Sequence, residues 1–190
     1  VTIIDHPSPN HSARKPGVRV DTVVLHHTGP GPNALGWLCD SESKASAHYL
    51  IDVKGRVFRL VAETRKAWHA GISAMPWEQA KATKKDSVND RSVGIEIDNP
   101  GDGVTPFTEA QYQALAQLLP DIVRRLGTHV SFWPLGDVLT AKRVRQPKPG
   151  EEQGVVHILG HRDVAPGRKT DPADNFDWGR VREMLTGVVA

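Results

Sequence analysis

The sequence predicts a single α/β domain, and three observations carry that reading. Apolar runs of strand length recur at Asp21 to His27, Ser92 to Asp98 and Val155 to Leu159. A long helical pattern with its own start and stop signals fills Thr108 to Leu126. The 190 residues suffice for one hydrophobic core, and neither internal repeats nor a second domain can be found along residues 1–190.

Composition narrows the function classes. A single Cys39 excludes an internal disulfide framework. Lys and Arg number 24 against 22 Asp and Glu, a formal charge of +2 that favours approach to an anionic polymer. The chain lacks a basic helix, a zinc-finger spacing or a basic stripe interleaved with aromatics, so a nucleic-acid partner is not expected. The longest apolar runs are too short to span a bilayer, so no transmembrane segment is expected. Residue 1 is Val rather than Met, which leaves room for an upstream signal or lipid-attachment segment. A periplasmic or envelope location is expected ahead of a cytoplasmic one, and the compartment stays open. Oligomeric state is not legible.

Taken in order, residues 1–19 mix Pro7, Pro9, Pro16 and Gly17 with polar residues and read as an extended surface arm. Asp21 to His27 is apolar on both faces at Val23, Val24 and Leu25, which suits a central strand. Its two histidines point to opposite faces, so only one of them can serve a given metal. Gly29 to Pro32 forms a turn, and Asn33 caps a short helix to about Cys39. Ala47 to Asp52 and Arg56 to Val61 form a hairpin through Lys54-Gly55. Ala67-Trp68-His69-Ala70-Gly71 then sets an aromatic and an imidazole beside a Gly that permits close backbone approach. Residues 73–91 are polar and irregular, with Lys81, Lys84 and Lys85 on a solvated face.

Ser92 to Asp98 alternates, with Val93, Ile95 and Ile97 on one side and Gly94, Glu96 and Asp98 on the other. A carboxylate in so apolar a strand, beside a gap left by Gly94, is either paired or functional. Partial burial raises its pKa toward the range of a general base, while a nearby metal ion opposes that shift. The next helix starts with the capping box Thr108-Glu109-Ala110-Gln111, carries a staple between Phe107 and Tyr112, and stops at Gly127. Pro120 is expected to kink or divide it. Residues 133–153 form an insertion rich in Pro, Gly and charge, with Lys142, Arg143, Arg145 and Lys148 close together, and read as a solvated loop. Asp177 caps a last helix from Trp178 to about Val188.

The chemistry concentrates in Gly160-His161-Arg162-Asp163-Val164-Ala165-Pro166-Gly167-Arg168-Lys169-Thr170-Asp171-Pro172, which follows the buried strand Val155 to Leu159. Lys169 and Asp171 are two apart, and Pro172 biases the residue before it toward extended geometry, so a cation and an anion face one site. His161 adds an imidazole, and His26 and His27 stand far upstream. Two His and a carboxylate gathered from strand ends, with one position left open, suit a catalytic zinc site.

The order His26, Glu96, His161, Lys169, Asp171 resembles the zinc-dependent N-acetylmuramoyl-L-alanine amidases, whose fold is shared with phage amidase lysozymes and peptidoglycan recognition proteins. Five blocks carry the resemblance from about Val23 to Trp178: Val24 to Thr28, Ser46 to Leu50, Ala67 to Gly71, Ser92 to Ile97, and Gly160 to Pro172. The last block looks most like the bacterial anhydromuropeptide amidases. Two departures stand out: Pro172-Ala173-Asp174-Asn175 replaces the usual Pro and Gly after the last ligand, and the 133–153 insertion near the groove is long. The resemblance implies a mixed central sheet flanked by helices and a groove along one face. It implies Zn2+ held by His26, His161 and Asp171, with Glu96 as base and Lys169 as oxyanion stabiliser. Its implied reaction cleaves the amide between N-acetylmuramic acid, or its anhydro form, and L-alanine in peptidoglycan or a muropeptide. His48, Trp68 and His69 are assigned to the groove wall that holds the substrate. The main rival is a peptidoglycan receptor that binds without cutting, and retention of all five residues argues against it. A zinc peptidase is disfavoured by the lack of a His-Glu-x-x-His pattern.

Overall fold

The computed structural model describes residues 1–81, 83, 87–127, 129–133 and 154–186. A seven-stranded mixed sheet forms the centre, flanked by helices. Its strands are β1 (Ile3–Asp5), β3 (Thr22–His27), β4 (Tyr49–Ile51), β5 (Val57–Arg59), β7 (Ser92–Ile97), β8 (His129–Trp133) and β9 (Val155–Gly160). They lie in the order β1-β5-β4-β7-β3-β9-β8. The pairs of β3 with β7, β3 with β9 and β4 with β7 are all parallel, so β3 is buried between two neighbours, as its two-sided apolar run requires. Only the hairpin of β4 and β5 runs antiparallel in this sheet. Asp52 holds its turn, accepting from the backbone N–H of Lys54 and Arg56, and Gly55 takes a φ of 75°.

The main core lies between one face of the sheet (Val23, Leu25, Ile95, Ile97, Ile158) and α2 (Glu109–Leu126) with α4 (Trp178–Leu185). Both halves of the capping box of α2 are made, and the Phe107 and Tyr112 rings sit 6.4 Å apart. Pro120 does not divide α2. It is buried within one continuous helix, and Leu115, Leu118, Leu119, Ile122 and Val123 seat the turns on both sides of it in the same core. Gly127 ends the helix in extended backbone; a Cβ there would lie 2.3 Å from the Gly154 carbonyl oxygen, so close approach selects the glycine. Asn33 caps α1 (Ala34–Cys39) and Asp177 caps α4 as read from the sequence.

Residues 1–19 are more than a surface arm. Ile3–Asp5 adds β1 to the sheet edge, and β2 (His11–Ala13) pairs antiparallel with β6 (Arg65–Ala67). Arg14 then plugs a ring of backbone oxygens, donating to the carbonyls of Glu63, Asn89, Asp90 and Ser92 at 2.8–3.0 Å. Of the loop expected at 133–153, residues 134–153 with the four basic side chains lie outside the described residues, as do the chain end beyond Thr186 and Lys84 and Lys85. β8, unforeseen, occupies Trp133 and the four residues before it. Among the described residues no helix is long and apolar enough to cross a membrane.

Candidate metal centre and groove

Because β3, β7 and β9 run parallel, their C-terminal ends open on one crevice, the usual place for a site in such a sheet. His26 sits near the end of β3, directly opposite Glu96 of β7 in the strand register. His161 opens α3 (His161–Val164) immediately beyond β9. Asp163, one of the two aspartates in the loop, accepts from the Gly160 N–H at 2.6 Å and fixes that turn. The second, Asp171, is brought back by the loop that follows. There the Arg162 N–H donates to the Asp171 carbonyl at 2.9 Å, and the Arg162 guanidinium gathers the carbonyls of Thr170 and Pro172.

Three atoms converge. His26 Nδ1 lies 3.0 Å from His161 Nδ1 and 2.9 Å from Asp171 Oδ2, and His161 Nδ1 lies 3.1 Å from the same oxygen. All three residues are buried. A tetrahedral cation with bonds of ~2.0–2.2 Å places neighbouring ligand atoms about 3.3 Å apart, close to this triangle. His161 Nε2 lies 3.1 Å from the Ala70 carbonyl, which can only accept, so its proton is on Nε2 and Nδ1 offers a lone pair to the triangle. The donor set therefore fits a metal ion: two imidazole nitrogens and a carboxylate oxygen, aimed at one point.

The electrostatics agree. Burial first, then the charge of His161, push the His26 pKa down to about 4 against the pull of Asp171, so the imidazole is neutral at neutral pH. Burial alone would raise Asp171, but its contacts with His161 and His26 outweigh that and hold it far below the usual carboxylate range. Glu96 is driven the other way, well above its ordinary value, by burial and then by Asp171, with Lys169 opposing. Its Oε1 is 3.9 Å from His26 Nδ1, and its buried Oε2 has no hydrogen-bond partner among the described residues. A cation at the triangle pulls Glu96 in the same direction as Lys169 does.

Two adjoining cavities, of about 330 and 260 Å3, meet at Glu96 and Trp37. The smaller is lined by two corners of the triangle, His161 and Asp171, and by Lys169, Arg168 and Trp68. Lys169 and Asp171 thus face one space, as their spacing predicts. His27 is not part of the triangle: its Nδ1 accepts from the Ala173 N–H at 3.1 Å.

One of the three groove-wall assignments needs correction. His48 is fully buried: its Nδ1 accepts from the Gly94 N–H, so Nε2 carries the proton and donates to the Arg65 carbonyl. It cannot touch a substrate. His69 is 8% exposed and does line the smaller cavity, but both its nitrogens are engaged inside the protein, one by His26 and one by Ser92, so what it offers there is ring surface and not a free polar atom. Trp68 does line the cavity, with its Nε1 donating to Ser12. Trp37 was missed. It is 55% exposed and borders both cavities, and the only signal was its place on a short helix just beyond the end of β3.

Comparison with known proteins adds to the geometry. A family model described as N-acetylmuramoyl-L-alanine amidase matches residues 16–174. The chain is 29% identical to the 1,6-anhydro-N-acetylmuramyl-L-alanine amidase AmpD of Enterobacter cloacae, over 95% of this chain and 88% of that protein. It is 33% identical to the N-acetylmuramoyl-L-alanine amidase AmiD of Escherichia coli, over 89% of this chain and 54% of that one. Among solved structures, a Se-Met AmpD derivative superposes with a TM-score of 0.67 at 25% identity, covering 99% of this chain and 94% of that one. E. coli AmiD in complex with the substrate anhydro-N-acetylmuramic acid-L-Ala-D-γ-Glu-L-Lys gives 0.60 at 28% identity, covering 93% and 62%. Drosophila peptidoglycan recognition protein SD, at 19% identity and a TM-score of 0.54 over 96% and 94%, shares the fold.

Proposed function

The chain belongs to the N-acetylmuramoyl-L-alanine amidase family, and on that premise we propose that it hydrolyses the amide between N-acetylmuramic acid, or its 1,6-anhydro form, and the L-alanine of a stem peptide, using Zn2+ held by His26, His161 and Asp171. The observation that carries this is the triangle of ligand atoms 2.9–3.1 Å apart, with a buried, unpaired carboxylate oxygen next to it.

When bound, the zinc ion supplies Lewis-acid chemistry, lowering the pKa of water and polarising a carbonyl. The side chains do the rest. Glu96 is set to accept a proton from the attacking water at Oε2, since burial makes it a stronger base than an exposed carboxylate. Water oxygen joins the lactyl carbonyl carbon, the carbon–nitrogen bond breaks, and Glu96 returns its proton to the departing alanine nitrogen. Lys169, lining the same cavity, stabilises the charge that develops on the carbonyl oxygen. Trp68 and Trp37, which line the same cavity as Glu96, offer apolar faces to the sugar or peptide.

The test pairs metal analysis of the purified protein with mass spectrometry of its products. One zinc per chain and release of intact stem peptide from both sacculi and soluble anhydromuropeptide, or from one of them, are expected. Tight muropeptide binding with no cleavage by the zinc-loaded protein would establish the receptor reading instead.

A further inference from the structure

His26 offers the metal its Nδ1 only if its proton sits on Nε2, and the structure shows what puts it there. His26 Nε2 is 3.0 Å from His69 Nδ1. His69 Nε2 is in turn 3.0 Å from Ser92 Oγ, and Ser92 Oγ is 2.8 Å from the Val88 carbonyl. The direction of the chain follows from its last member. A carbonyl can only accept, so the Ser92 hydroxyl donates to Val88 and presents a lone pair to His69. His69 must then carry its proton on Nε2, which leaves Nδ1 as an acceptor. His26 must donate to it from Nε2, and its Nδ1 is left bare toward His161 and Asp171.

The surroundings are built for this. Ser92 and Thr22, paired across β7 and β3, are both fully buried. Ser92, Gly94 and Glu96 share one face of β7. A Cβ on Gly94 would fall 2.4 Å from His69 Cγ, so the gap read from the sequence beside Glu96 is the seat of the His69 ring. The loop that carries His69 is pinned at Ala70, whose N–H donates to Asn89 Oδ1 and whose carbonyl accepts from Arg168 and His161.

We infer that Ser92 and His69 are positioning residues for the metal: the relay from Val88 O through Ser92 and His69 locks His26 in the tautomer that presents Nδ1. This rests on the zinc reading of the triangle, but the tautomers can be read without zinc. Outer partners of this kind are worth about 10–100-fold in metal affinity.

The experiment uses the full chain, stripped of metal and labelled with 15N-histidine. Long-range 1H–15N spectra at neutral pH should show His26, His69 and His161 all protonated on Nε2. Chelator competition should show Ser92→Ala binding zinc about 10–100-fold more weakly than the unaltered protein. His69→Asn, which keeps an acceptor facing His26, should bind zinc more tightly than His69→Ala. A proton on Nδ1 of His26 or His69 in the unaltered protein overturns the relay, and that spectrum needs no variant to fold. So does Ser92→Ala with zinc affinity unchanged, or equal loss in the two His69 variants. A protein with the expected tautomers that takes up no zinc overturns the metal reading and leaves the tautomer assignment standing.

Discussion

Replacing Glu96 with Gln keeps the side-chain volume and removes both the charge and the basic oxygen, so it separates what Glu96 does for chemistry from what it costs the fold. Loss of a general base lowers turnover about 10²–10⁴-fold, or about 3–5 kcal/mol of barrier. Stability should move the opposite way. Glu96 is 12% exposed at its side chain, its Oε2 has no partner, and burial raises its pKa well above the ordinary value. A carboxyl whose folded pKa exceeds its unfolded one stabilises the fold at low pH, and this is lost as pH rises through the folded value. Gln does not titrate. Metal-free Glu96→Gln should therefore gain on the unaltered protein as pH rises, reaching about 1–3 kcal/mol, the cost of a buried group left unsatisfied. Zinc should shrink the gain, because its charge favours the ionised carboxylate. Urea midpoints across the pH range, with and without zinc, and peptide release from muropeptide measure both effects. Near-normal peptide release would remove Glu96 as the base, and a variant no more stable at any pH would contradict its burial as an unpaired charge.

Lys169→Ala should lower kcat more than it raises KM; a rise in KM at unchanged kcat would make Lys169 a substrate contact. His27→Ala should keep stoichiometric zinc and lose about 1 kcal/mol with the hydrogen bond from Ala173. Metal loss in that variant, with His26→Ala still binding zinc, would reverse the ligand choice. His48 is held at a pKa of about 3, by burial first and Arg14 next. Because that lies below the unfolded value, its contribution is whole above pH 6.5 and is lost as pH falls toward 3. Between pH 6.5 and 4.5 this amounts to about 2 kcal/mol. His48→Asn should flatten the acid limb of the stability curve by that amount, and an unchanged slope would refute the assignment.

What could be read from sequence was whatever is encoded locally. The two-sided apolar run of β3, the alternation of β7 and the capping box of α2 each state their structure within a few residues. The three-residue strands β1, β2 and β6 are too short to show a period, and their pairing depends on partners up to 56 residues away. Pro120 illustrates the same limit from the other side: local chemistry says break, and a core on both flanking turns overrules it. At the site, His26, His161, Asp171, Glu96 and Lys169 announce themselves through residue type at strand ends. His48 is misplaced because a strand pattern does not say which layer a face meets, and nothing local shows that the nitrogens of His69 are taken up inside the protein. Ser92 looked like no more than the polar first residue of a strand.

The guanidinium of Arg14 has a practical bearing on where this enzyme can be cut. It stands just ahead of the stretch matched by the family model, which begins at residue 16. A version trimmed to that boundary would strip the donor from four carbonyls, one of them on Ser92 itself. Domain limits drawn from homology alone would loosen the back of the active site from a direction that no inspection of the groove reveals.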